Sequence, residues 1–245
     1  MAALVACDVA PGLLVAPGVE IPFDAEIDPY VTIYGGVALG ARVRLGQGAI
    51  LGRPERVDAR SKAPRQPAGA PTLIGDDCII GSGSVVAAGA RIGASSAISD
   101  QTLVRAGAVL GQAVMLGRNC ATAPLVEIGA GTRIQAGTVI GQRTWIGEEV
   151  MVGAYVVFIS DPRFGRRPLD PDANGIRVGR GARIGTGAIL SPPLQVGEEA
   201  VIGARSFVRT DVDARTVVAG TPARFLKHVD ADELLDDREP EPGGR

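Results

Sequence analysis

The stretch Ile74-Gly75-Asp76-Asp77-Cys78-Ile79-Ile80-Gly81-Ser82-Gly83-Ser84-Val85-Val86 sets the pattern from which the fold is read. Every sixth residue from Ile74 runs Ile80, Val86, Ile92, Ile98, Val104, Leu110, Leu116, Thr122, Ile128, Ile134, Ile140, Ile146, Val152 and Phe158, with Thr122 the one polar residue. A Gly often follows, as at Gly75, Gly93, Gly111 and Gly129. The fourth residue on is usually small or β-branched, as at Ser84, Ala90, Ala108, Thr132, Thr138 and Val156. A period of six fits neither the 3.6 of a helix nor the two of a strand. Sustained over many units, it is the mark of a solenoid whose unit is one flat side.

Outward from that run, the same period holds upstream at Val15, Ile21, Ile27, Ile33, Leu39, Leu45 and Leu51, and downstream at Val178, Ile184, Leu190, Val196, Ile202 and Val208. Two insertions interrupt it. The first, Gly52 to Pro71, holds four prolines and four arginines, so residues 52–73 read as an excursion loop rather than a further coil. The second covers residues 160–177 and opens Ser160-Asp161-Pro162-Arg163. Counting 28 sides at three to a turn gives about nine coils, a prism roughly 45 Å long at the ~4.8 Å spacing of neighbouring strands. The expected organisation is an all-β solenoid domain over 1–226, followed by a C-terminal segment over 227–245. In that segment a short acidic helix is expected from Asp230 to Asp237, and the Pro-, Gly- and Glu-rich end, Arg238 to Arg245, is expected to be disordered.

Composition agrees with a narrow prism. Gly is abundant at 34 residues and aromatics make up only 4%, which suits a core of Ile, Val, Leu and Ala. The net charge of −2 argues against a nucleic-acid or membrane-surface binder. No stretch is apolar enough to span a bilayer. Leu4-Val5-Ala6-Cys7 looks like a lipidation box, but only three residues precede it, with no basic segment or apolar run, so it is not read as one. Cys7, Cys78 and Cys120 have no metal-ligand spacing. Cys78 and Cys120 take the small inward position of their hexads and read as reduced structural thiols of a cytoplasmic protein.

The last residue of each hexad faces outward. On one side these stack, eighteen apart, as Val85, Leu103, Ala121, Val139 and Val157, and Ile189 and Phe207 extend the column if the second insertion closes at a corner. An apolar stripe of that length is expected to be an interface between copies, or to be covered in part by the two loops.

This repeat resembles the left-handed parallel β-helix, or hexapeptide-repeat, acyltransferases over nearly the whole chain, from about Val15 to Leu226. Val217-Val218-Ala219-Gly220-Thr221-Pro222-Ala223-Arg224 is similar to that superfamily's closing segment. The resemblance implies a left-handed β-helix, a homotrimer with sites in the clefts between prisms, and acetyl-CoA as cosubstrate. It implies that Arg205, Ser206, Arg209 and Arg224 lie by the adenylate half of CoA, and the backbone of Gly185 and Ala204 by its pantetheine arm.

Many members use a catalytic His on the central coils, and carbonic anhydrases of this fold need three for their metal. This chain has one histidine, His228, placed after the closing segment, so no metal is expected and a His base is absent. Phe158-Ile159-Ser160-Asp161 resembles instead the Phe-Ile-Asn-Asp segment of the branch that acetylates amino groups of nucleotide-linked sugars, with Ser160 standing where that branch has Asn. An unprotonated amine attacks a thioester without prior deprotonation, whereas a hydroxyl needs a base worth ~10²- to 10⁴-fold.

Asp161, with Ser160, is accordingly the candidate to hold the amine or take its proton. The alternative, an Asp-Pro turn cap, stays open. Arg163, Arg166 and Arg167 are candidates for a diphosphate or the CoA phosphates. Asp100, Gln101 and Asn119 are candidate acceptor contacts or plain turn residues. The leading expectation is acetyl transfer from acetyl-CoA to a nucleotide-linked amino sugar. The alternatives are an amino acid or hydroxyl acceptor, with Glu148 or Glu149 as base, and a non-catalytic trimeric scaffold.

Overall fold

The computed structural model describes residues 4–56, 70–163, 165–166 and 175–235. Residues 57–69, Arg167 and the chain beyond 235 lie outside this set, and with them most of the first excursion, part of the second and the C-terminal tail. Within it the chain forms three parallel sheets of eleven, eight and eleven strands. Successive hexads visit the three in strict rotation, which makes a three-sided parallel β-solenoid.

The two eleven-stranded sheets each include one antiparallel strand, Val5–Cys7 at the N-terminal end and Ala223–His228 at the C-terminal end. Ten parallel strands therefore remain on each of these faces, so the solenoid has ten coils and not nine. The last coil escapes a strict sixfold count because its second side comes early. Val212 bridges to Val196 only four residues after Val208, and Val218 then closes the coil on Ile202. The antiparallel end strands cover edges that would otherwise offer unpaired N–H and C=O groups to another chain. The expected C-terminal helix is a single 3-10 turn, Ala231–Glu233. With no buried residue in that turn, nothing apolar drives a longer helix.

The core is the inward column. Ile80, Ile98, Leu116, Ile134, Ile140, Ile146 and Phe158 are among the largest fully buried side chains. Thr122, the polar exception, is buried as well, and its Oγ1 accepts a 3.0 Å bond from the Arg105 amide. Where a Gly follows an inward residue, stacking leaves little room for a side chain. A Cβ on Gly111 would lie 2.7 Å from the Ala130 amide nitrogen of the next coil.

The small residue at the fourth position ties coils together where it carries a hydroxyl. Thr138 Oγ1 donates to the Gly153 carbonyl at 3.0 Å and accepts from the Val156 amide at 3.1 Å. Thr132 repeats this with Gly147 and Val150, and Ser84 with Ser99 and Thr102. Cys78 and Cys120 donate Sγ–H to Gly93 and Gln135 from the same position. Thr138→Val keeps the volume but strands a buried donor and a buried acceptor. It is expected to cost about 1–3 kcal/mol in chemical denaturation, and an unchanged midpoint would show that the bridge adds nothing.

The three faces differ in what they show to solvent. The outward column of one runs Leu14, Thr32, Ile50, Val85, Leu103, Ala121, Val139, Val157, Ile189 and Phe207, rung on rung. It carries no charge, and the expected stripe is therefore continuous past the second insertion. We call it the apolar face. The next face in chain order bears Trp145 and is interrupted by Arg91, Glu127 and Arg177. The third is interrupted by Glu26, Arg44, Arg133 and Arg183. The chain turns from the apolar to the tryptophan face at the first corner, from there to the third face at the second, and back to the apolar face at the third.

Candidate functional site

Both excursions leave from the first corner. Strand Ile50–Arg53 runs into the first and strand Thr72–Ile74 receives it. Its opening climbs the corner, where the Glu55 carboxylate takes bonds of 2.8 and 3.0 Å from the Arg105 guanidinium and one of 3.1 Å from the Ala106 amide. The second excursion leaves after Val157–Phe158 and returns in Ile176–Val178, five coils further along.

Its opening residues are held tightly. The Ser160 hydroxyl accepts from the Gln142 amide at 3.1 Å. Asp161 accepts the Arg163 amide on Oδ1 at 2.8 Å and the Gly165 amide on Oδ2 at 2.6 Å, so its carboxylate organises the turn that its own loop makes. That is the geometry of an Asp-Pro turn cap.

Asp100, Gln101 and Asn119 do not join this cluster. They stack at the third corner, on the opposite edge of the apolar face. Asp100 Oδ1 accepts the Ser82 amide at 2.8 Å. Gln101 and Asn119 both occupy the left-handed turn position with φ of 57°, in line with Gly83 and Gly137 on neighbouring coils. Their backbone role is that of turn residues. Glu148 and Glu149 lie at the second corner, away from both excursions, with φ of 54° at Glu149.

The cofactor candidates gather near the C-terminal end. Gly185 packs under the Ala204 backbone, Ser206 is buried and its Oγ accepts from the Gly220 amide at 3.0 Å, and the Arg205 carbonyl receives the Thr221 hydroxyl. The closing segment thus folds down on the third corner. Arg224 Nη1 donates to the Ala223 carbonyl within the end strand, and Arg209 falls at the first corner. His228 ends the same strand and meets the Phe225 ring edge-on at 5.2 Å. With a single His in the sequence, no coil or excursion carries an imidazole.

Sequence reasoning missed one feature. Where the second excursion returns, the tryptophan face bears a depression of about 400 Å³, lined by Trp145, Arg177, Gln195, Glu198, Asp211 and Asp213 among others. The Arg177 guanidinium lies over the indole, 5.1 Å from the ring centre. Trp145 is the chain's one tryptophan and precedes an inward Ile, so its outward aim was legible. Its partner, 32 residues away in sequence, was not.

Two of the three cysteines stay inert. Cys78 and Cys120 are buried, and burial pushes both thiols above their ordinary range. Because the folded thiols hold their protons to higher pH than unfolded ones, their contribution to stability is whole below the unfolded thiol pKa. It is lost as the pH climbs through the raised folded value. A chromogenic disulfide reagent at pH 8 is expected to label half-buried Cys7 promptly, and Cys78 and Cys120 only after denaturant is added. Three prompt equivalents would contradict this.

The family described as "Hexapeptide repeat of succinyl-transferase" matches residues 71–99. The match is confined to that stretch, the segment that opens the central run of hexads. Among solved structures, the chain is 29% identical to a serine acetyltransferase in complex with cysteine, over 46% of this chain and 42% of that one, with a TM-score of 0.41. It is 30% identical to soybean serine acetyltransferase complexed with serine, over 41% and 40% at a TM-score of 0.35. A hexapeptide transferase family protein from Anaplasma phagocytophilum is 20% identical over 94% and 87%, with a TM-score of 0.38. The chain spans less than half the length of both serine acetyltransferases, and at these TM-scores no acceptor or reaction carries over. No curated protein sequence matches the chain. Among the described residues, no helix is long and apolar enough to cross a membrane, and no three His, Cys, Asp or Glu side chains gather as a metal-holding group.

Proposed function

We propose that the chain is a hexapeptide-repeat, acetyl-CoA-dependent N-acyltransferase that acetylates the amino group of a nucleotide-linked amino sugar, as a homotrimer in the cytoplasm. One observation carries this reading. The sole imidazole, His228, lies at the end of the last strand against Phe225, so an imidazole base for a hydroxyl acceptor is missing from the coils and both excursions. A free amine needs none before attack. It needs to be oriented and kept near the thioester, which by itself lowers the barrier substantially.

The geometry favours a site shared between copies. The apolar face is bounded on one edge by the first corner, with Ser160, Asp161, Arg163 and Arg166, and on the other by the third, with Asp100, Gln101, Asn119 and Arg205. Head-to-tail packing of apolar faces about a threefold axis sets the first corner of one copy beside the third corner of the next. In that arrangement Asp161 and Ser160 orient the acceptor amine, with Asp100, Gln101 and Asn119 facing them across the cleft. Arg163, Arg166 and Arg167 meet phosphates, and Gly185, Ala204, Arg205, Ser206, Arg209 and Arg224 line the CoA end.

Thiol release from acetyl-CoA, measured against a panel of nucleotide amino sugars, amino acids and sugar alcohols, tests the reading. The expected result is turnover with amines only, with kcat/KM rising with pH up to the pKa of the acceptor amine and no separate imidazole-range inflection. Turnover with the alcohols alone would replace it with O-acylation. No turnover together with no CoA-induced rise in melting temperature would leave a non-catalytic scaffold.

A further inference from the structure

We infer that the depression on the tryptophan face is a binding site for a small molecule that carries an acidic group and an amine several bonds apart. The inference concerns binding alone and stands apart from acyl transfer.

Three successive rungs of one outward column form the floor of this depression. Trp145 pairs with Arg177, Arg177 with Gln195, and the Gln195 amide donates to Asp211 Oδ1 at 2.8 Å. At the spacing of neighbouring strands, Arg177 and Asp211 are about 10 Å apart along the prism. The two ends carry opposite charge. At one, the Arg177 guanidinium is spread over the Trp145 ring and has no carboxylate partner among the described residues. At the other, Glu198 and Asp213 flank Asp211 where the chain rounds the second corner. Their carboxylates make no hydrogen bond or ion pair among the described residues, and Asp211 commits only Oδ1, to a backbone amide.

A protein surface has a simple way to relieve such charges, which is to pair them, as Arg42 and Asp77 do bidentately at the second corner of earlier coils. Here the guanidinium and the carboxylates share one concave site but stay two rungs apart with Gln195 between them. Neither a simple anion nor a simple cation answers both ends. A molecule with both charges does. Its acid group meets the guanidinium fork, the geometry that arginine favours for carboxylate and phosphate. Its ammonium meets the carboxylates, and its body lies across Gln195 beside the indole. The stacked ring also holds the Arg177 side chain in place before a ligand arrives, which spares part of the ordering cost of binding.

Because Trp145 is the only tryptophan, intrinsic fluorescence reads this site directly, without acyl donor or turnover. Three probes on one scaffold separate the contributions: glucosamine 6-phosphate has both groups, glucosamine the amine alone, and glucose 6-phosphate the acid alone. The expected result is a saturable fluorescence change, with the doubly charged probe binding at least tenfold more tightly than either control. Arg177→Gln is expected to remove the advantage of glucosamine 6-phosphate over glucosamine while sparing its advantage over glucose 6-phosphate. The double variant Glu198→Gln and Asp213→Asn is expected to do the reverse, each variant being checked for an unchanged melting temperature. Equal binding of glucosamine and glucosamine 6-phosphate, or a fluorescence trace flat for all three, would overturn the inference. Either result leaves the thiol-release test to be decided separately.

Discussion

Val139→Glu is expected to turn the proposed trimer into monomers and to abolish the proposed acyl transfer together. Val139 stands midway along the uncharged column between Ala121 and Val157 and is 46% exposed in the single chain. Val157 and Ile189, further up the same column, are also open to water. In a threefold assembly each copy would bring one carboxylate into an interface that offers the column no charge to pair with. An uncompensated buried charge costs about 3–5 kcal/mol, and the substitution is repeated in every copy. The fold itself should be spared, because the side chain points away from the core and its neighbours Thr138 and Ile140 keep their inward places. Light scattering, a melting curve and the thiol-release assay run on one preparation decide the matter. A particle of unchanged mass, or a wild-type protein that is already monomeric, would remove the shared-site reading, since the two corners it joins lie on opposite edges of the face.

Phe158→Ala should bring the largest loss of stability of any single truncation at the candidate site. Phe158 is the bulkiest fully buried side chain among the described residues, on the rung paired with Leu190 and at the last regular side before the second excursion. Truncating a buried Phe costs about 3–5 kcal/mol, part transfer and part cavity. For a chain of this size each kcal/mol moves the midpoint about 2–4 °C, so a fall of roughly 6–20 °C is expected. Stability in a solenoid is nearest-neighbour, so the damage should centre on that coil and on the Ser160 and Asp161 turn that it launches. Amide exchange at Arg163 and Gly165, which are bonded to the Asp161 carboxylate, should quicken before exchange in distant coils. A fall below about 3 °C would mean that the coil closes around the vacancy.

The inward columns, the two excursions and the uncharged stripe were legible from residue spacing, because each inward or outward choice is made within one hexad and repeats every six residues. The absence of histidine from the coils was legible too, as a matter of inventory. The roles of single polar residues were less so. Asp161 reads in sequence as a turn cap or as a ligand group, and only its two backbone amides at 2.8 and 2.6 Å show how its carboxylate is used. Gln101 and Asn119 gave the same ambiguity until their left-handed backbone placed them in a corner stack.

Residue spacing alone settles which residues face in, which face out, and where the repeat breaks. What the tertiary structure decided was phase. Both excursions leave and return between the same two faces, so Val157 stacks on Ile189 and Trp145 on Arg177 although insertions separate them in the chain. The tenth coil closes through Val212 and Val218 despite a step of only four residues. The reason is physical. Burial of a side chain is settled within one hexad, whereas the register of a coil is set by hydrogen bonds to the coil before it, and those partners are named by the stacking and not by their distance along the chain.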